Sequence, residues 1–264
     1  MQLNFIRVFW LAIATLFSYQ VEAKPRLRWC LDHFVGMHEF LPGHKVPSGP
    51  SVQMMQELAA RSGFDLEISG QTPSSRCFRE LNNGSSDLMV NLLYSADKAQ
   101  QIDLLKFGAR WPDRIYLAAK DPRQLTQVAA LNQMTLTTVR NYGVHAQIQP
   151  VLAALPKSQW VQAASALLAL QMVAKGRVDA AILAPSQAKR IFALEPELAS
   201  QIQEVQFPLT IVKPQLVYLG FSRHSQYPQL RQVLQQQLQL MQQDGTLHRL
   251  LGDKMIFNQL PDDQ

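Results

Sequence analysis

The sequence predicts an α/β protein that folds as two units with a cleft between them. Short apolar segments typical of strands alternate with segments in which apolar residues recur at helical spacing. This alternation predicts parallel strands joined by right-handed crossovers. The pattern restarts after Gln101, without an internal repeat or a low-complexity linker, which indicates a second unit of the same kind.

The first unit contains three predicted strands. A helix over 50–62 begins at a proline and ends before Gly63, which can adopt the left-handed conformation of a helix stop. A second helix is predicted to be capped by Ser74 or Ser75. The predicted strands are 27–31, 64–68 and 88–93.

The segment 84–98 is the centre of the predicted binding site. Gly84 ends one helix, the apolar run 88–93 is typical of a buried strand, and Ser95 caps the next helix. Asp97 lies in the first turn of that helix, where a negative charge suits the helix dipole. This arrangement places side chains 94–98 at the carboxyl edge of a sheet, where open α/β sheets bind ligands.

The second unit is predicted from a similar set of signals. A helix over 165–175 ends at Gly176, and another helix begins at Gly143 directly after a strand. The strand 216–221 then leads into an amphipathic helix, 228–243, and a further short turn of helix, 246–251. The other predicted strands are 115–119, 136–140 and 179–183.

The first 23 residues predict an export signal. Arg7 precedes an apolar core that is too short to span a bilayer, and Val21-Glu22-Ala23 fits the small-residue cleavage pattern. We therefore expect a mature chain from Lys24, located in the periplasm and without stable membrane insertion. An uncleaved N-terminal anchor is the alternative.

Charge and cysteine content restrict the partners and the compartment. The formal charge is +5, but the basic residues are scattered, which argues against nucleic acid as a partner. Cys30 and Cys77 are the two cysteines, and in an oxidising compartment such a pair favours a disulfide. Two buried, unpaired cysteines are the alternative.

Five short motifs follow one another along the predicted mature chain. They are Gly49-Pro50 before a helix, the turn Leu81–Asp87, the segment Tyr94–Lys98, Gly176-Arg177-Val178-Asp179-Ala180, and Asp244-Gly245-Thr246-Leu247. Together they resemble the bacterial extracellular solute-binding proteins of the amino-acid-type class (family 3), which are the periplasmic receptors of ABC importers. The resemblance covers essentially all of the mature chain.

The resemblance implies a two-lobed periplasmic-binding-protein-like (type II) fold, each lobe a mostly parallel sheet flanked by helices. Lobe 1 would comprise residues 24–115 and 218–264, and lobe 2 residues 116–217. Binding of a small solute would close the lobes around a hinge. We expect a monomer that needs no cofactor and that has an ABC permease as a partner.

Two positions depart from the pattern of that family. The arginine that pairs with the ligand carboxylate in the amino-acid receptors is Lys98 here, which lacks the planar guanidinium. The aspartate that holds the ligand ammonium is Ala184, which cannot do so. We therefore expect a neutral polar or anionic solute in place of a zwitterionic amino acid. A solvated helix lysine is the alternative for Lys98.

The remaining candidate ligand-binding residues follow predicted strands. His33 and Phe34 come after the first strand, and Arg76 comes after the second, although a surface salt bridge with Glu80 is the alternative for Arg76. The third strand leads to Tyr94 and Ser95, beside Lys98. In the second unit the candidates are Arg140, Tyr142 and Gly143.

The charge of the cleft depends on which of these residues face it. If Arg76, Lys98 and Arg140 all do, the cleft is positive and selects anions. Alternatively, Asp32 or Asp113 replaces the missing acid from another direction.

No catalytic motif occurs, and His33, His38 and His44 form only a loose group that predicts no metal site. A dehydratase-like enzyme on the same fold and a stand-alone sensor remain as alternative functions.

Overall fold

The computed structural model describes residues 23–140, 142–144, 148–205 and 214–257. The predicted signal peptide lies outside these residues apart from Ala23. The strands are β1 (Arg26–Trp29), β2 (Asp65–Ile68), β3 (Leu88–Leu93), β4 (Asp103–Arg110), β5 (Arg114–Ala118), β6 (Leu136–Val139), β7 (Trp160–Ala163), β8 (Ala180–Leu183), β9 (Ile202–Val205) and β10 (Gln215–Phe221). The α-helices are α1 (Pro50–Ser62), α2 (Ser74–Asn83), α3 (Ala96–Gln101), α4 (Gln149–Ala154), α5 (Ala166–Ala174), α6 (Pro185–Leu194), α7 (Pro196–Ser200), α8 (Leu230–Gln243) and α9 (Thr246–Leu251).

The strands form two five-stranded sheets, one in each lobe. The orders are β2-β1-β3-β10-β4 in the first sheet and β7-β6-β8-β5-β9 in the second. Each sheet is mixed, with two parallel pairs and two antiparallel pairs, because β10 and β5 run against their neighbours. The two-lobed α/β fold is therefore confirmed. The lobe boundaries at 115/116 and 217/218 remain a prediction.

Local signals predicted most elements of the first lobe, but they missed strand β4 and misplaced one helix cap. The bounds of α1 and β3 are those predicted, and Ser95 caps α3 by accepting a hydrogen bond from the Lys98 N–H. The predicted cap of α2 is wrong, because Pro73 occupies the N-cap position and the Ser74 hydroxyl donates to Asp32 instead.

In the second lobe the predicted helix start at Gly143 is wrong. Gly143 lies outside any helix, and the helix that follows begins at Gln149. Helix α6 was not predicted from the sequence, although its first turn lies at the cleft. The missed strands of this lobe are β7 and β9.

The core of the first lobe lies between its sheet and helices α1 and α8. The apolar stripe predicted on α8 packs inward, with Leu234 and Leu238 fully buried. These side chains meet Met54 and Leu58 of α1 in one cluster of buried residues that also includes Trp29 from β1. This packing holds β1 and β3 in place, and the loops after these strands carry the site.

Cys30 and Cys77 form the predicted disulfide. Their Cα atoms lie 5.3 Å apart, within the range that a disulfide spans without backbone movement. The bond joins the end of β1 to the first turn of α2. Both cysteines are fully buried.

The turn Leu81–Asp87 fixes the entrance to β3. Gly84 has φ 80°, and a Cβ atom there would lie 2.9 Å from the Cβ of His224, so this position requires glycine. Asp87 accepts a hydrogen bond from the backbone N–H of Arg28 at 2.8 Å and another from the Ser225 hydroxyl at 2.6 Å. Its carboxylate thus ties β1 to the loop after β10.

We expect Asp87→Ala to lower the free energy of unfolding by about 2 kcal/mol, because two donors lose their charged acceptor. Urea denaturation at neutral pH measures this. Asp65→Ala is the matched control, because the Asp65 carboxylate is exposed on the edge strand β2. A loss for Asp87→Ala no larger than that of the control would contradict the structural role of this carboxylate.

Candidate functional site

A cavity of about 1060 Å³ lies between the two lobes. Its first-lobe wall is formed by the loop after β1, the start of α2 and the carboxyl end of β3, and its second-lobe wall by the segments after β6 and β8. Ligands bind at the carboxyl ends of strands in open α/β sheets, and these segments supply that edge in both lobes. The cavity is the candidate ligand site.

Four of the predicted ligand-binding residues line this cavity. They come from both lobes, and they are Phe34, Lys98, Tyr142 and Gly143. Ala184, at which the acid was expected to be missing, also lines it.

The two predicted arginines do not line the cavity. The Arg76 side chain is 65% exposed and pairs with Glu80 one turn further along α2, at 3.0 Å. Arg140 is exposed directly after β6. Of the three cations expected to face the cleft, only Lys98 therefore lines the cavity, because Arg76 points away on α2 toward Glu80 and the Arg140 side chain is exposed. The other lining cations are Arg110, Lys189, Arg190 and Lys254.

His33, Tyr94 and Ser95 also lie outside the cavity lining. His33 Nδ1 accepts a hydrogen bond from the backbone N–H of Phe40 at 3.1 Å, and Tyr94 is exposed with its ring 6.4 Å from that of Tyr218. Ser95 is used as the cap of α3. These three residues support the surrounding loops.

Lys98 places an ammonium group at the cavity wall. Nζ donates to the Leu93 carbonyl at 3.2 Å, and Lys98 forms no ion pair with any residue that the structure describes. Burial lowers the pKa of Lys98 below its ordinary value, and the charge of Asp97 acts in the opposite direction. A partly desolvated cation that lacks a carboxylate partner favours an anionic ligand group.

An aromatic stack joins the lobes beside this lysine. The rings of Phe34 and Tyr142 lie 5.0 Å apart with an angle of 19° between their planes. The Tyr142 hydroxyl donates to the backbone carbonyl of His33. Burial, with the nearby charge of Asp32, raises the pKa of Tyr142 far above its usual value, so this hydroxyl stays protonated.

The buried acids at the cavity are engaged with other residues. Asp32 lies 3.0 Å from His38 Nε2 and accepts a hydrogen bond from Ser74. Burial raises the pKa of Asp32, but the hydrogen bond and charge of His38 and the Ser74 hydroxyl together lower it below its ordinary value. Asp113 pairs with Arg110 at 3.1 Å.

Asn91 is a cavity residue that the sequence did not indicate. Its φ of 60° is the only positive φ of a non-glycine residue in the part of the chain that the structure describes. It sits at an irregularity in the pairing of β3 with β10, and its Nδ2 donates to Ser51 Oγ at 3.2 Å. Such strained positions cluster at functional sites. The tolerance of asparagine for this conformation was the one available signal.

Residues 28–253 match the profile of the bacterial extracellular solute-binding proteins, family 3. The chain belongs to this family. Its members are extracellular or periplasmic binding proteins, so the cleft is that of a binding protein. No match was found among curated protein sequences.

Solved structures of similar fold include both receptors and sensors. A histidine kinase sensor domain with similarity to periplasmic binding proteins gives a TM-score of 0.73 at 16% identity, covering 89% of this chain and 97% of that one. An ancestral arginine-binding protein bound to arginine gives 0.71 at 15%, covering 88% and 98%. The arginine-, lysine-, histidine-binding protein ArtJ from Geobacillus stearothermophilus gives 0.69 at 15%, covering 90% and 97%. At these identities the similarity shows the fold.

Metal-binding clusters and membrane-spanning helices are both missing from the described part of this family 3 protein. The described residues contain no group of three or more His, Cys, Asp or Glu side chains that could hold a metal ion. None of the described helices has the length and apolar content needed to span a bilayer.

Proposed function

We propose that this family 3 protein captures a small solute with a carboxylate or similar anionic group in the interlobe cleft. The observation that carries the proposal is Lys98, whose partly buried ammonium lines the cavity without an ion-pair partner among the described residues. A ligand oxygen can take the place of the lost hydration there, and a charge-assisted hydrogen bond of this kind is about twice as strong as a neutral one.

The opposite wall supports a ligand without an ammonium group. Ala184 offers no carboxylate, and the two buried acids nearby already have partners, because Asp32 is bonded to His38 and Ser74, and Asp113 to Arg110. Glu39 pairs with Arg190, and the remaining acid of the cavity lining, Asp253, is exposed to solvent. A buried ammonium group would therefore have to displace one of these partners or remain unpaired. Leaving a buried charge unpaired costs about 3–5 kcal/mol.

Delivery to a membrane permease is the second part of the proposal. ArtJ and similar proteins are named for amino acids that they bind, and a further structural neighbour is the substrate-binding protein of an amino acid ABC transporter. We propose that the present chain is exported to the periplasm after cleavage of residues 1–23 and acts there as a monomer. Its ligand would then pass unchanged to an ABC permease, without a cofactor.

Mass spectrometry of small molecules retained by the purified protein tests the proposal. We expect an enriched solute that bears a carboxylate and that is absent from a parallel preparation of Lys98→Ala. Retention of a common α-amino acid would contradict the proposed ligand class. Conversion of the retained solute during incubation would favour the enzyme alternative.

Binding of an anion should weaken at alkaline pH. Burial lowers the pKa of Lys98, so the free protein loses this charge at a lower pH than an exposed lysine does. The affinity should be constant below that pKa and fall about tenfold for each pH unit above it, up to the higher pKa of the complex. Titration calorimetry between pH 7 and pH 10.5, the ordinary pKa of a lysine, measures this dependence.

Lys98→Arg is the control for this pH profile. The guanidinium stays protonated throughout the range, so the variant should bind with an affinity that does not change with pH. A wild-type affinity that is equally constant up to pH 10.5, the ordinary pKa of a lysine, would show that Lys98 does not carry the binding of the anion.

A sensor function is the second candidate. Two of the structural neighbours are a histidine kinase sensor domain and the VFT2 domain of BvgS from Bordetella pertussis. In this chain the Phe34–Tyr142 stack and the Tyr142–His33 hydrogen bond link the lobes directly, and a signalling partner could read a change in these contacts. Solute uptake that is lost on deletion of the gene would favour transport. Normal uptake together with a lost transcriptional response would favour sensing.

A further inference from the structure

The start of α6 holds a buried amide donor without a partner in the wall of the cavity. Gln187 is 2% exposed and lines the cavity, and its buried Nε2 has no hydrogen-bond partner among the residues that the structure describes. Buried polar groups of native proteins are almost always hydrogen-bonded, because an unmade bond costs the desolvation energy of the group. An amide in this position therefore points to an acceptor that a ligand supplies.

The N-terminus of helix α6 adds an electrostatic field that favours a negatively charged ligand group. Helix α6 has ten residues, no acidic residue in its first turn and no side-chain cap, and Ala184, Pro185 and Ser186 at its start all line the cavity. The positive end of a helix dipole stabilises a negative charge or a carbonyl oxygen. Two independent features of the second-lobe wall thus favour an oxygen acceptor.

We infer that Gln187 and the first turn of α6 form a subsite for a second oxygen acceptor of the ligand. This inference rests on the proposed function, in which Lys98 binds a carboxylate from the first lobe. A ligand that satisfies both walls carries an acceptor at each end and no ammonium group. Linear dicarboxylates fit this description, and their monoamides share the same chemistry.

The position of the subsite explains why Ala184 replaces the aspartate that the family pattern has there. Ala184 directly precedes the helix, so no carboxylate there opposes an anionic ligand group. The nearby charges are also compatible, because Lys189 and Arg190 line the cavity on the same helix and Arg190 is paired with Glu39 at 3.3 Å. At this place the second lobe thereby offers hydrogen-bond donors, whereas a site that binds an ammonium group would need acceptors there.

Titration calorimetry with linear dicarboxylates of four to eight carbons, their monoamides and monocarboxylates of equal length tests this subsite. We expect the wild type to bind at least one dicarboxylate or monoamide more tightly than the matched monocarboxylate. Gln187→Leu should weaken that ligand roughly 10- to 100-fold, because the donor is lost. Gln187→Glu should weaken a dicarboxylate further than a monoamide, because like charges then meet.

The affinity for the monocarboxylate separates a binding role from a structural one. If Gln187 contacts the second end of the ligand, its variants should leave the monocarboxylate affinity unchanged and reduce only the advantage of the dicarboxylate. Gln53→Leu is the control, because Gln53 is exposed on α1 and does not line the cavity. Parallel losses for both ligands together with a lower melting temperature would overturn the subsite.

Other outcomes distinguish this inference from the proposed function. If Gln187→Leu and Gln187→Glu bind dicarboxylates as the wild type does while Lys98→Ala does not, the subsite is wrong and the proposed function stands. The subsite is also wrong, with the proposed function intact, if the wild type binds monocarboxylates and no dicarboxylate or monoamide. If Lys98→Ala binds every probe as tightly as the wild type, the proposed function fails. If Gln187→Glu gains affinity for L-amino acids, Gln187 faces an ammonium group and the inference is overturned.

Discussion

Lys98→Ala is expected to weaken binding of the anionic ligand by roughly two to three and a half orders of magnitude. The ammonium lies partly buried at the cavity wall, so its removal leaves the ligand carboxylate desolvated and unpaired. Removing one partner of a buried ion pair costs about 3–5 kcal/mol, and each 1.4 kcal/mol corresponds to a factor of about ten. Titration calorimetry with the solute identified by mass spectrometry measures the change.

Arg76→Ala is the matched control for this loss. Arg76 carries the same charge on the same lobe, but its side chain is exposed and paired with Glu80 outside the cavity. The affinity of the Arg76→Ala variant for the anion should therefore equal that of the wild type within about a factor of two at physiological salt, because exposed charges are screened. An equal loss in both variants would show that general positive charge, and not a specific contact, determines the affinity.

Removing the disulfide should destabilise the first lobe by up to about 4 kcal/mol. The bond between Cys30 and Cys77 spans a sequence separation of 47 residues, and closing a loop of that length restricts the unfolded chain by about this amount. For a chain of this size the expected fall in melting temperature is about 10 °C. Differential scanning calorimetry of Cys30→Ala/Cys77→Ala against the wild type measures it.

Reduction supplies the internal control for this variant. A reductant should lower the melting temperature of the wild type toward that of the double variant and should leave the double variant unchanged. A double variant that melts within about 2 °C of the oxidised wild type would show that packing alone holds the start of α2 against β1.

Signals confined to a few neighbouring residues predicted much of the fold. The apolar run 88–93 predicted strand β3 with its bounds, and Ser95 was predicted correctly as the cap of α3. Gly63, which has φ 73°, was predicted correctly as the residue that ends α1. Each depends on chemistry that acts within one turn or one strand. The cap of α2 was predicted wrongly because it depends on a distant residue. The Ser74 hydroxyl donates to Asp32, which lies 42 residues away in the sequence, and no local signal indicates this contact.

The site could be predicted only to the level of the segments that form it. The strand ends were found correctly, but which side chains turn toward the cavity depends on the packing of both lobes. Phe34 and Tyr142 are far apart in sequence, and their stack follows from the way the two lobes meet. No helix was predicted over the segment that contains Gln187, so the sequence offered no reason to expect this side chain at the cavity. Its buried amide without a partner among the described residues is evident only from the fold.

Titration calorimetry of the wild-type protein with carboxylates and with L-amino acids tests the central claim most directly. That claim is that the cleft binds oxygen acceptors and rejects ammonium groups. It predicts measurable binding of at least one carboxylate without an ammonium group and affinities at least about 100-fold weaker for L-arginine, L-glutamine and other zwitterions. Tight binding of any ordinary L-amino acid, with no carboxylate competing for the cleft, would contradict the account.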